Sequence, residues 1–171
     1  LDPVKEAAVA LLAARRPAIL AGHGVNLAGA QAELLELAEL LSAPVATTPK
    51  GKGAFPERHP LSLRVFGIAS APQAEAYLLS GRVDVLLILG SGLHEISTQG
   101  WEARLQPSAA LIQQDIDPAV IGRNYPVTTA LVGDCRTTLR EMIFHLRRLL
   151  SIGEHPPWGD AASFARWKEA A

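Results

Sequence analysis

The stretch Asp84-Val85-Leu86-Leu87-Ile88-Leu89 constrains the fold more than any other part of the chain. After Asp84 it holds no polar residue, and Gly90-Ser91-Gly92 follows at once. An amphipathic helix needs a polar face at helical spacing, and a half-exposed strand needs alternation. A short unbroken apolar run closed by glycines satisfies neither. It is the pattern of a central strand buried on both faces, as strands of parallel sheets are.

The same arrangement recurs along the chain. Ala18-Ile19-Leu20-Ala21 is a second apolar run closed by Gly22-His23-Gly24. Val45 to Thr48, Ala109 to Gln113 and Thr129 to Val132 read as further strands, the last stopping at Gly133-Asp134. Helical patterns lie between them. Val4 to Leu12 is a short amphipathic helix with Arg15-Arg16 behind it and Pro17 to stop it. From about Leu27 to Leu41, the apolar positions Leu34, Leu37, Ala38 and Leu41 alternate with Glu33, Glu36 and Glu39. Pro72 to Leu79 and Arg136 to Leu150 read as two more helices, and Thr48 to Pro60 is the longest irregular stretch. Strand, glycine turn, helix and strand in repetition mean βαβ units. The expected fold is α/β: a Rossmann-like, doubly wound parallel sheet of five to six strands with helices on both faces.

Composition agrees and excludes several classes. Of 171 residues, 49% are hydrophobic and 19% charged, enough for a sizeable core and too apolar for disorder. Sixteen basic and 17 acidic side chains give a net charge of −1, which removes the electrostatic footprint of a nucleic-acid binder. No apolar run approaches the roughly 20 residues that span a bilayer, so no membrane partner is expected. Cys135 is the single cysteine and can form neither an internal disulfide nor a thiolate cluster. None of His23, His59, His94, His145 and His155 forms a close ligand pair, so no metal site is expected.

In open parallel sheets, ligands bind outside the carboxyl ends of the strands, and the unusual residues here fall there. Gly22, Gly24 and Gly29 serve either a tight turn or the approach of a phosphate. Their spacing is G-x-G-x-x-x-x-G, not the dinucleotide G-x-G-x-x-G. Lys50-Gly51-Lys52-Gly53 either embraces an anion or is a solvated loop. Asp115, Asp117 and Asp134 either accept from ribose hydroxyls or cap turns and helices. His94-Glu95 faces a ligand or lies in a surface loop. Cys135, at a helix start, is either a thiol of lowered pKa or a buried structural one. Ser70 and Ser91 lack a G-x-S-x-G context. With no acid–base pair and no nucleophile matched to a base, no catalytic residue is expected.

Several stretches, taken in order, match a known pattern. They are Arg16-Pro17-Ala18-Ile19-Leu20-Ala21-Gly22-His23-Gly24-Val25, the segment from Ala43 through Lys50-Gly51-Lys52-Gly53 to Leu61, Asp84 to Gly90, Asp115-Ile116-Asp117-Pro118, and Ile121-Gly122-Arg123-Asn124. Together they resemble the central domain of thiamine-diphosphate-dependent enzymes of the acetolactate synthase large (catalytic) subunit type. The resemblance implies a six-stranded DHS-type nucleotide-binding fold over residues 1–150. Residues 151–171, with Pro156-Pro157-Trp158, are then a linker towards a C-terminal cofactor-binding domain. The start at Leu1-Asp2-Pro3, without Met, is expected to be a cut point in a longer protein.

The resemblance also implies that thiamine diphosphate and Mg²⁺ belong to the N- and C-terminal domains of the same polypeptide, outside this chain. The full-length enzyme would be a cytoplasmic homodimer or homotetramer acting on a 2-keto acid. The central domain holds FAD in some family members, ADP or part of a coenzyme A substrate in others, and nothing in the rest. Carried over, an FAD or ADP site maps to Gly22, Gly24, Thr48, Pro49, Lys50, Gly51, Phe66, Gly67, Gly90, Asp115, Ile116, Gly133 and Asp134. FAD-binding relatives usually carry an Arg and an acidic residue shortly after the apolar strand's glycine, where this chain reads Gly90-Ser91-Gly92-Leu93-His94-Glu95. Two other readings remain open: a free-standing FAD, NAD or ADP module, and an interaction domain without a ligand.

Overall fold

The computed structural model describes residues 2–153. Six strands form one parallel sheet: β1 (Pro17–Ala21), β2 (Val45–Thr47), β3 (Ser62–Val65), β4 (Val85–Leu89), β5 (Ala110–Asp115) and β6 (Thr129–Val132). Their order across the sheet is β3-β2-β1-β4-β5-β6. The chain builds outward from β1 to β3, then returns across the sheet and builds outward again from β4 to β6. The point where the direction reverses lies between β1 and β4, paired from Pro17–Val85 to Ala21–Leu89. Both strands are buried at every position, as their unbroken apolar sequences require.

Five α-helices accompany the sheet: α1 (Pro3–Ala13), α2 (His23–Leu27), α3 (Gln31–Leu41), α4 (Pro72–Leu78) and α5 (Cys135–Ser151). Helices α1 and α3 both pack against α5, while α4 packs against β3. Right-handed crossovers running towards β3 and towards β6 place their connectors on opposite faces. Asp2 caps α1, its carboxylate accepting from the Val4 and Lys5 amides at 3.1 and 3.3 Å. Tyr77 on α4 reaches the sheet and donates to the Pro17 carbonyl at 2.9 Å.

Four elements differ from the sequence reading. The helix expected from Leu27 to Leu41 is two helices. Gly29, at φ +62°, ends α2, and α3 begins at Gln31. Strand β3, which the pattern missed, is a four-residue edge strand with a register shift against β2 and Arg64 at φ +65°. Strand β5 runs on to Asp115, because Gln113 and Gln114 are buried rather than at a turn. Asp84 sits outside β4. Its carboxylate accepts from the amides of Arg15 (2.7 Å), Arg16 (2.9 Å) and Val85 (2.9 Å), tying the starts of β1 and β4 together. The expected linker at Pro156-Pro157-Trp158 lies outside the described residues.

Candidate functional site

The carboxyl ends of β1, β2, β4, β5 and β6 surround a cleft of about 750 Å³. This is the crevice at the topological switch point, where open α/β sheets bind ligands, and its size is that of a small-molecule site. Its walls are largely apolar: Leu27, Ala28, Pro49, Ile96 and Ile116. Leu27, Ile96 and Ile116 are 76%, 57% and 73% exposed, so three aliphatic side chains of the lining stand uncovered. Polar side chains stand among them, Thr48, Lys50, Gln114, Asp115 and Asp134 included.

Of the residues expected at a ligand, Gly24, Thr48, Pro49, Lys50, Gly90, Asp115, Ile116 and Asp134 line this cleft, whereas Phe66 and Gly133 do not. Gly22, Gly51 and Gly67 do not, and the backbone explains why. A Cβ on Gly22 would overlap the Gly90 carbonyl oxygen, and one on Gly51 would overlap the Ala21 carbonyl oxygen. A Cβ on Gly67 would lie 2.6 Å from the Ile96 carbonyl oxygen. The Gly24 and Gly90 backbones also meet, since a Cβ on Gly24 would sit 2.6 Å from the Gly90 Cα. These glycines let the loops after β1, β2 and β4 touch each other. Gly22 and Gly24 serve the turn: the Gly22 amide donates to Leu89 O at 2.7 Å and the Gly24 amide to Gly90 O at 3.0 Å. Helix α2, with five residues, is too short to develop the field of a phosphate-binding helix.

The acidic residues also do structural duty. Asp115 Oδ1 accepts from the Asp117 amide at 3.0 Å, and Asp117 Oδ1 from the Ala119 amide at 2.9 Å. Asp134 caps α5, accepting from the Thr137 amide at 2.8 Å and the Thr137 hydroxyl at 3.0 Å. Those bonds hold its carboxyl below the usual carboxylate range. Thr48 Oγ1 accepts from the Gly51 amide at 3.0 Å, and Lys50 is exposed. His94 and Glu95, between which a ligand role and a surface loop were open, are exposed and line the cleft.

Cys135 lines the cleft but is 4% exposed. Burial, with the charges of Asp134, Asp115 and Glu33 adding to it, pushes its thiol up to about 12. The buried structural thiol, not the activated one, is realised. Away from the cleft, His145 Nε2 lies 3.1 Å from Asp2 Oδ2, with Glu141 beside them, joining α5 to the start of α1.

Sequence reasoning missed Gln113 and Gln114, both 1% exposed. Gln113 Nε2 donates to the Ser91 carbonyl at 3.0 Å, and its Oε1 accepts from the Gly122 amide at 2.9 Å. Gln114 lines the cleft and donates to the Gly133 carbonyl at 2.7 Å, while its Oε1 has no partner among the described residues. A polar pair at the end of an apolar strand was the available signal.

A family model, "Thiamine pyrophosphate enzyme, central domain", matches residues 4–142. The chain belongs to this family. A Methanocaldococcus jannaschii protein assigned as an acetolactate synthase large subunit is 41% identical over 155 residues, covering 91% of this chain and 26% of that one. An acetolactate synthase of Mycobacterium bovis is 39% identical over 144 residues, covering 84% and 23%. The X-ray structure of a Mycobacterium smegmatis protein assigned to the thiamin diphosphate-dependent enzymes superposes with a TM-score of 0.65 at 27% identity, covering 83% of this chain and 27% of that one. This central domain thus spans about a quarter of the length of the curated relatives it matches. Among the described residues, no helix is long and apolar enough to cross a membrane.

Proposed function

We propose that this central domain braces a thiamine-diphosphate-dependent enzyme that decarboxylates a 2-keto acid such as pyruvate and transfers the resulting unit to an acceptor, and that its cleft takes an adenine nucleotide, FAD or ADP. The cleft at the β1–β4 switch point carries the second half of this reading, by its volume and by a polar end that offers acceptors. Asp115 and Asp134 would meet ribose hydroxyls there. Thr48 and Lys50, on the opposite side, would lie along the phosphates, with the Gly24 turn bordering them. The unpartnered Gln114 Oε1 is a further acceptor bordering the same end. FAD and coenzyme A relatives of the nucleotide share the adenine and ribose that this end suits.

The residues present do not suit thiamine diphosphate and Mg²⁺. Gly133-Asp134-Cys135 is not the Gly-Asp-Gly of a diphosphate site, and among the described residues the one cluster of three metal-ligating side chains, Asp2, Glu141 and His145, lies away from the cleft. When bound elsewhere in the whole protein, that cofactor supplies the carbanion chemistry, and this chain supplies positioning and the nucleotide site. We place the domain at residues 1–150 and the linker at 151–171. The whole protein is proposed to be a cytoplasmic homodimer or homotetramer.

Two measurements test this. Purified chain with thiamine diphosphate, Mg²⁺ and pyruvate should release no product; measurable turnover overturns the assignment of catalysis to other domains. Calorimetry with ADP and FAD should show one site per chain, with a matching rise in melting temperature. A second reading, a brace with an empty cleft, draws on the glycines at the strand ends, which loop packing already uses. It predicts no thermal shift with ADP, FAD or coenzyme A.

A further inference from the structure

The connector between β4 and β5 supplies one wall of the cleft through Ser91, Gly92, His94, Glu95, Ile96 and Ser97. It is under backbone strain. Leu93, buried at 1% exposure, sits at φ +54°, and Gln99 and Trp101 at +56° and +59°. Side chains disfavour this left-handed region, so such residues persist only where their surroundings impose the conformation.

The loop after β5 bonds to this connector. Asn124 Nδ2 donates to the Gly92 carbonyl at 2.9 Å and to the Leu93 carbonyl at 3.1 Å, spending both amide hydrogens on successive carbonyls around the strained residue. Ser91 Oγ accepts from the Leu93 amide at 3.2 Å. Gln113 joins Ser91 to Gly122, and Tyr125 donates to the Glu102 carbonyl at 3.0 Å further along the connector. Asn124 itself is not among the residues lining the cleft.

We propose that Asn124 is a positioning residue for the cleft, a latch whose carboxamide holds Leu93 in its left-handed conformation and so keeps the 91–97 wall shaped for a ligand before one arrives. A preformed wall spares the ligand the cost of ordering it. The consequence for affinity rests on the nucleotide reading above; the latch does not.

The test compares wild type with Asn124→Ala, which removes both bonds, and Asn124→Asp, which keeps the shape but sets carboxylate oxygens against two carbonyls. Hydrogen exchange is followed without ligand over 91–101 and over β4, and ADP affinity is measured in parallel. In both variants, exchange over 91–101 should accelerate by about tenfold or more, the order expected from losing the hold on one left-handed residue. Protection of Val85–Leu89 should stay unchanged, and ADP should bind about tenfold more weakly. Unchanged exchange over 91–101, or equal loss across the sheet, overturns the latch. Faster local exchange with undiminished ADP binding overturns its role at the cleft. If wild type binds neither ADP nor FAD, the nucleotide reading falls, and the exchange arm alone decides the latch.

Discussion

Gly90 and Gly24 press backbone on backbone where the loops after β4 and β1 meet, and no side chain larger than hydrogen fits either position. A Cβ on Gly90 would lie 2.5 Å from the Gly24 Cα, and Gly90 also sits at φ +57°. Gly90→Ala therefore adds overpacking to a left-handed conformation and should cost about 3 kcal/mol or more. Gly29 is the control. It is equally left-handed at φ +62°, but its Cβ would meet nothing within 4 Å. Gly29→Ala should cost only about 1 kcal/mol. Urea midpoints of the two variants measure the contrast, and equal shifts would remove the close-approach explanation. The sequence made the residue types at these turns legible but not their use, because the two loops lie more than sixty positions apart. Cys135 carries a second residue-scale expectation. With its thiol at about 12, the thiolate fraction at pH 7 is roughly one in 10⁵, against a few per cent for a free cysteine. Alkylation by iodoacetamide in the native state should run about a thousandfold or more below the free-thiol rate, and a rate near that of free cysteine would contradict the buried environment.

At the scale of elements, long periodic segments were legible and short ones were not. β1, β4 and α5 carry unbroken apolar runs or a long amphipathic repeat, which local pattern alone specifies. α2 and β3, of five and four residues, offer too few positions for a period to show. The charges between Leu27 and Leu41 marked a helix surface, yet two of them tether α3 to α5: the half-buried Glu36, which accepts from Arg147, and the buried Glu33. Glu33, at 8% exposure, accepts from Arg136 Nε at 2.8 Å and from Arg140 Nε at 2.9 Å, joining α3 to α5. The Arg136 hydrogen bond, chief among these contacts, holds the Glu33 carboxyl below its ordinary value of 4.5. A carboxyl lowered in the folded state stabilises the fold above its unfolded pKa and loses that contribution as pH falls through the folded one. The stability advantage of wild type over Glu33→Gln should thus be full near neutral pH and shrink below about pH 4.5. Urea unfolding at pH 7, 5, 4 and 3 checks this. A gap that widens on acidification would show that the pair does not stabilise through the ionised carboxylate.

The whole molecule is organised by one fact that no local pattern carries: β1 pairs with its sequence neighbour β2 on one flank and with the distant β4 on the other. That pairing creates the switch point, and the switch point creates the cleft. Alternation of strands and helices implied a doubly wound sheet, and a crevice at the carboxyl ends of its strands followed from it. The exposed aliphatic lining at Leu27, Ile96 and Ile116, and the buried Gln114, did not, since they depend on which loops the strand order brings together. The same order makes the central strands common to both halves. Leu87 sits at the middle of β4, fully buried, paired with Ile19 on one side and Ile112 on the other. Leu87→Ala removes packing shared by the β1–β3 and β5–β6 halves and should cost about 2–5 kcal/mol. Because the halves share that strand, the loss should fall on both at once. The urea midpoint drops with its slope unchanged, and hydrogen exchange accelerates by similar factors in β2 and in β5. Faster exchange confined to one side of β4 would mean that the halves unfold separately and that the switch point is a boundary, not a shared core.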